Sequence, residues 1–233
     1  MDIIALFSGG KDSTYASYLA KKQGHNIKYL VSIISENPDS YMFHTPNILL
    51  AEKQAEAMNI PIILKSTKGE KEKELLDLES AIGLAIKRNH SISGIVCGAV
   101  ASEYQRSRVA AIADKFSIAL LSPLWHKDPE KLLTDMITAG FKIIITSVSA
   151  QGLDKSWLGR IIDKRAVKDL AILNKEYGIH ILAEGGEYET FVLDCPLFNK
   201  RIEIEKAEKH WDDKLGCGRL EIKKIRIARK AGS

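Results

Sequence analysis

Apolar positions in the first half of the chain come in short unbroken runs separated by amphipathic stretches. Ile3–Phe7 is one such run; it stops at Ser-Gly-Gly, and a helical pattern follows with Tyr15, Tyr18 and Leu19 on one face. Tyr29–Ile34 is rich in β-branched residues and lacks polar alternation, as in a strand covered on both faces. The series continues with a helix from Pro46 through Met58, a strand at Pro61–Leu64 and a long charged helix at Glu70–Arg88. A strand at Gly94–Cys97, a helix at Ser102–Lys115 and a strand at Ile118–Leu121 complete it. Such β-α alternation predicts a parallel sheet with helices on both faces and strand order 3-2-1-4-5. Ligands then sit beyond the carboxyl ends of the strands. The loops after Phe7, Ile34 and Cys97 qualify.

The pattern changes after Pro123. Pro129–Ala139 and Asp163–Tyr177 read as helices, and Lys142–Val148, Ile179–Ala183, Thr190–Leu193, Arg201–Glu205 and Leu220–Ile227 as strands. This predicts an α/β domain over residues 1–125 and a smaller α+β domain over 126–233. A cleft between them is the expected place for ligands.

Composition narrows the class. With 45% hydrophobic and 27% charged residues the chain is an ordinary globular one, not a disordered or fibrous one. No apolar run approaches the ~18 residues of a membrane span, and the N-terminus lacks a basic region and a cleavage site. Three cysteines without C-x-x-C spacing fit a reducing, cytoplasmic setting. A net charge of +4 is too small to imply nucleic acid, which is not an expected partner. The basic tail from Arg219 to Lys230 reads as a strand whose solvated Lys/Arg face blunts a sheet edge, with a polyanion-binding surface as the other reading.

The strongest chemical signal is Ser8-Gly9-Gly10-Lys11-Asp12-Ser13, between a strand and a helix. Two glycines let the backbone turn tightly and approach a ligand. The unpaired N–H groups of the helix start favour an anion. Lys11 adds a positive charge, expected to be solvated until a ligand arrives, and Ser8 and Ser13 add hydroxyls. The pattern is neither G-x-x-x-x-G-K-[ST] nor G-x-G-x-x-G. It resembles the N-type ATP pyrophosphatases, the PP-loop superfamily, whose S-G-G-x-D-S signature grips the β,γ-pyrophosphate of ATP. That resemblance implies the HUP-type (adenine nucleotide alpha hydrolase-like) five-stranded sheet, ATP with Mg²⁺, Asp12 as the metal-binding residue, and adenylation with loss of pyrophosphate.

A second segment, Gly98-Ala99-Val100-Ala101-Ser102-Glu103-Tyr104-Gln105-Arg106-Ser107-Arg108, follows the fourth strand. Gly98 and Ala99 are small enough to admit an adenine or ribose, and Arg106 and Arg108 can reach phosphates. The plainer reading is a helix start with Ser102 as N-cap and Gln105 at the third position. A third segment, Glu184-Gly185-Gly186-Glu187-Tyr188-Glu189-Thr190, sets three carboxylates around a Gly-Gly turn. It reads as a solvated hairpin tip or as a clamp for a cation. Together the three resemble the diphthine–ammonia ligases (diphthamide synthetases), with Tyr41–Pro46, Pro123–Trp125, Gly152–Asp154 and Trp157–Arg160 as further family-like segments.

The resemblance spans residue 3 to about 205, is weak after Lys206, and suggests a short archaeal type set against longer eukaryotic relatives. It implies amidation of diphthine on translation elongation factor 2 by ammonia, through an acyl-adenylate. Lys11, Asp12 and Arg106 would be catalytic. Ser8 to Ser13 with Gly98, Ala99 and Arg108 would hold ATP, and Ser102, Tyr104, Gln105 and Glu184 to Thr190 the acceptor. Rival readings are a PP-loop enzyme adenylating a tRNA base and a non-catalytic nucleotide sensor. His44 and Trp125 carry weaker expectations: the first as a loop residue near the nucleotide, the second as an inter-domain packing anchor. Cys97 is expected in the core, and neither Cys195 nor Cys217 as a nucleophile.

Overall fold

A computed structural model describes residues 1–36, 50–70 and 73–230. The chain divides into two compact units, Met1–Trp125 and His126–Ser233. The expectations for Tyr41–Pro46 and His44 lie outside the described residues.

Unit 1 alternates β1 (Asp2–Leu6), α1 (Lys11–Lys22), β2 (Asn26–Ser35), α2 (Ala51–Met58), β3 (Ile62–Thr67), α3 (Lys73–Arg88), β4 (Ile92–Val96), α4 (Glu103–Lys115) and β5 (Ala119–Leu121). The sheet order is β3-β2-β1-β4-β5, and its paired strands run parallel. Ile3, Ile4 and Ala5 are all fully buried, so successive side chains on both faces of β1 are covered. That is why the run shows no polar alternation. The helix α3 turns Leu78, Ala81, Ile82 and Ala85 inward, and burying each large aliphatic side chain contributes ~1.5–3 kcal/mol.

Unit 2 contains α5 (Pro129–Thr138), β6 (Lys142–Val148), a 3-10 turn at Lys155–Trp157, α6 (Lys164–Tyr177), β7 (Tyr188–Asp194), β8 (Lys200–Asp212) and β9 (Cys217–Arg229). Its sheet is antiparallel with order β7-β6-β9-β8. Asp128 and Asp163 cap α5 and α6, accepting hydrogen bonds from Lys131 N and Ala166 N at 2.7 and 2.8 Å.

Two expectations are corrected here. Ile179–Ala183 is a looped segment, not a strand: Ala183 has φ +58°, and local side chains take up its backbone groups. The basic tail is not an edge strand either. It forms β9, inside the sheet between β6 and β8, and its cations meet cross-strand carboxylates. Arg226 pairs with Glu203, and Lys224 with Glu205 at 2.8 Å.

Candidate functional site

The loop after β1 is knitted by its own hydroxyls. Ser13 Oγ receives a hydrogen bond from Ser8 N at 3.2 Å and lies 3.1 Å from Ser8 Oγ. Thr14 Oγ1 donates to the Gly10 carbonyl at 2.8 Å, and Ser32 Oγ donates to the Phe7 carbonyl. Gly9 sits at φ +79°, a conformation that favours glycine. Gly10 is the N-cap of α1 without a side chain to cap it. The helix start presents N–H groups of the kind that suit an anion, with the Gly10 N–H donating to Ser8 Oγ at 3.4 Å.

Lys11 departs from expectation. It is 3% exposed rather than solvated, and its Nζ lies 2.8 Å from Asp12 Oδ2. Burial becomes tolerable because a carboxylate accompanies the ammonium. The other oxygen, Asp12 Oδ1, is buried without a hydrogen-bond partner. An orphaned carboxylate oxygen beside an anion loop fits a hard divalent ion that takes one protein carboxylate and completes its shell with phosphates and water. Among the described residues, the one group of three His, Cys, Asp or Glu ligands within mutual reach lies elsewhere: Glu208, His210 and Glu221 on the β8–β9 hairpin. There Lys223 Nζ already sits 2.5 Å from the Glu221 carboxylate.

The second segment meets the first directly. A Cβ on Gly98 would fall 2.7–2.9 Å from backbone atoms of Asp12 and Ser13. The glycine thus serves close packing of two backbones, and the space assigned to an adenine at that atom is filled by protein. Ala99 is buried. Ser102 takes the structural role open to it, as N-cap of α4 accepting from Gln105 N at 3.3 Å. Arg106 lies over the Trp125 ring at 4.9 Å and Arg108 over the Tyr104 ring at 3.5 Å. Both guanidiniums are thereby oriented near the β4–α4 loop. Trp125 packs on the core of unit 1.

The third segment is a loop that runs into β7 and is braced by hydrogen bonds from within and from its neighbours. The Glu187 carboxylate accepts from His180 N at 2.7 Å and Gly185 N at 2.9 Å. His180 Nδ1 accepts from Leu182 N and Glu184 N at 3.2 and 3.4 Å. Tyr188 is 2% exposed with its hydroxyl on the Ile181 carbonyl, and it offers no open aromatic face. Thr190 is buried in β7 opposite Ile145. Glu184 and Glu189 are partly exposed, and Gly185 and Gly186 form the exposed tip.

Cys97 lies in the core, as expected, 3.4 Å from Ser122 Oγ. Burial pushes the Cys195 thiol up to about 12, which disfavours the thiolate at neutral pH. The residue that sequence reasoning missed is Gln54. It is fully buried, and its Nε2 donates to the Gly9 carbonyl at 2.9 Å. The available signal was a glutamine on the apolar face of α2, in step with Ala51, Ala55 and Met58.

Comparison with known proteins follows the same division. Models of the diphthamide synthase N-terminal and C-terminal domains match residues 1–119 and 128–227. The second match reaches residue 227 in β9, beyond the segment expected to carry the likeness. Diphthine–ammonia ligases of Mus musculus and Homo sapiens are each 36% identical over 227 residues, covering 89% of this chain and 84% of theirs. That of Danio rerio is 35% identical, covering 91% of both. Vertebrate relatives are thus of similar length, and only the yeast ones, covered to 37%, fit the expectation of longer eukaryotic forms. A solved structure titled as a predicted subunit of a tRNA methyltransferase from Methanocaldococcus jannaschii superposes with a TM-score of 0.43 at 20% identity, over 84% of this chain and 98% of that one. With both domain models matched in order and relatives aligned along almost its whole length, the chain belongs to the diphthamide synthase family.

Proposed function

We propose that the protein is an ATP-dependent diphthine–ammonia ligase. The observation that carries this reading is the family membership over both units, joined to a glycine-rich anion loop packed backbone to backbone against the β4–α4 loop. A carboxylate is a poor acyl donor because its oxygen is a poor leaving group. In the proposed reaction a diphthine carboxylate oxygen attacks the α-phosphorus of the co-substrate ATP, and the α–β bridging oxygen departs with pyrophosphate. Ammonia then attacks the acyl carbon, AMP leaves, and a proton is lost from nitrogen. The protein substrate in this reading is elongation factor 2, and the setting is the cytoplasm. Among the described residues no helix is long and apolar enough to cross a membrane, and the cysteines are free.

Ser8 to Ser13 hold the β,γ-phosphates through backbone N–H groups and hydroxyls. Lys11 balances the charge of departing pyrophosphate. Arg106 and Arg108, oriented by their rings, offer forked donors to phosphate oxygens. Asp12 Oδ1 would hold Mg²⁺, which supplies neutralisation of phosphate charge when bound. Gly98 shapes the loop rather than the base pocket. Glu184 and Glu189 provide the negative surface for the quaternary ammonium of diphthine, with Ser102, Tyr104 and Gln105 serving chiefly to build the start of α4.

The test combines the protein with diphthine-bearing elongation factor 2, ATP, Mg²⁺ and ammonium. Amide formation should require all four and release AMP and pyrophosphate. It should rise with pH as free ammonia becomes available. Release of ADP and orthophosphate overturns the proposal, as does ATP consumption with tRNA while the factor stays unmodified.

A further inference from the structure

Gln54 is a polar residue on a buried helix face. Like Ala51, Ala55, Ala57 and Met58 of α2 it is buried, and it has no exposed surface. A buried amide is costly without a partner. Its Nε2 finds one in the Gly9 carbonyl, 2.9 Å away and 45 residues distant in sequence. The fit is close: a Cβ on Gly9 would stand 2.2 Å from Gln54 Oε1.

The peptide unit joining Gly9 to Gly10 is planar and trans, so its C=O and N–H point opposite ways. Anchoring the Gly9 carbonyl on Gln54 therefore turns the Gly10 N–H to the other side, where it donates to Ser8 Oγ at 3.4 Å. Gly10 is the N-cap of α1. Its N–H thus sits among the helix-start donors, where an arriving anion would compete with Ser8 Oγ for it. Two successive glycines oppose rotation of this peptide only weakly. The orientation needs a hold from outside the glycine pair: Gln54 supplies it at the carbonyl, and Ser8 Oγ accepts from the N–H end more distantly.

We propose that Gln54 is a positioning residue that locks the Gly9–Gly10 peptide with its N–H turned toward the phosphates of ATP. It acts through Gly9 and does not touch the nucleotide. The proposal rests on the reading of Ser8–Ser13 as the pyrophosphate loop. Gln54→Leu keeps the volume and removes the donor. Gln54→Glu keeps the shape but presents acceptors to the Gly9 carbonyl, which favours the flipped peptide; protonation of that carboxyl at low pH restores a donor.

The experiment measures binding of inorganic pyrophosphate and of ATP to the full chain by calorimetry across pH, with melting temperatures alongside and KM values for ATP and for the protein substrate. Wild type should bind both. Gln54→Leu should bind about tenfold more weakly, the worth of one buried hydrogen bond of ordinary strength. Gln54→Glu should be weaker still at neutral pH, and its deficit relative to wild type should shrink as pH falls. KM for ATP should rise in both variants while KM for the protein substrate holds. Should Gln54→Glu not fold, Gln54→Leu decides the matter, since it buries no charge. Folded variants that bind pyrophosphate within about twofold of wild type overturn the lock, and so does an equal rise in both KM values. Failure of wild type itself to bind pyrophosphate removes the loop reading, and the lock with it.

Discussion

At Lys11 stability and chemistry are tied together. Its side chain is 4% exposed and that of its partner Asp12 26% exposed. Removing one member of a buried pair leaves the other uncompensated, which costs ~3–5 kcal/mol when both are fully buried. With Asp12 partly wetted, Lys11→Met should lose about 1–3 kcal/mol as well as turnover. The double variant with Asp12→Asn should regain much of the stability and none of the activity. Urea denaturation and ATP turnover check this; a single variant as stable as wild type would contradict the pairing. Cys195 offers a second expectation. Its thiol titrates at about 12 when folded against an ordinary 9.0, so the native state holds its proton longer than the unfolded state. Stability from this group is complete below the ordinary value and is lost as pH rises toward the folded one. At pH 8 a thiol reagent should label Cys217, which is partly exposed, well before Cys195, as peptide mass spectrometry can read. Glu187 illustrates a change of role: a carboxylate read from sequence as a substrate clamp proves to hold two backbone N–H groups. Glu187→Gln should lower the melting temperature and loosen the loop, whereas Glu184→Gln should raise KM for the acceptor alone.

Elements meet where their backbones can approach. Gly98 lets the end of β4 pack on the first turn of α1, and its missing Cβ would collide with the backbone of Asp12 and Ser13 at 2.7–2.9 Å. Backbone cannot swing aside as a flexible side chain can. Gly98→Ala should therefore destabilise the fold and weaken ATP binding together. Gly178→Ala, at φ +72° with open space around it, should show conformational strain only and leave ATP binding unchanged. Equal ATP affinity in both variants would remove the link between the loops. Helix ends supply a separate test. The Asp163 carboxyl is held below its ordinary value chiefly by the N–H of Ala166. Asp163→Ala should cost ~1 kcal/mol. A carboxyl with a depressed folded value stabilises above its ordinary range, and that contribution fades as pH falls through the folded value. The stability gap between wild type and Asp163→Ala should narrow in acid.

For the molecule as a whole, the proposal divides labour between units. Hydrogen exchange with ATP and Mg²⁺ should protect amides of residues 8–13 and 98–102 in unit 1. The diphthine-bearing factor should protect 184–190 in unit 2. Nucleotide protection confined to unit 2 would reverse the assignment.

Local and periodic features were legible in the sequence. Unbroken apolar runs such as Ile3–Phe7 announce strands buried on both faces, and β-α alternation dictates a parallel sheet because connections are short and one-handed. The motif Ser8–Ser13 announces a tight turn into a helix because glycines and a helix start are adjacent in the chain. What the tertiary structure alone decided are contacts between residues far apart. The burial of Lys11, the reach of Gln54 to Gly9 across 45 positions and the packing of Gly98 on α1 leave no periodic trace. The Ile179–Ala183 segment shows the same limit in reverse. Its apolar residues suit a strand, but His180 and Glu187 take up the backbone groups that a ladder would need, and which partner a buried N–H finds is settled only when the chain has closed on itself.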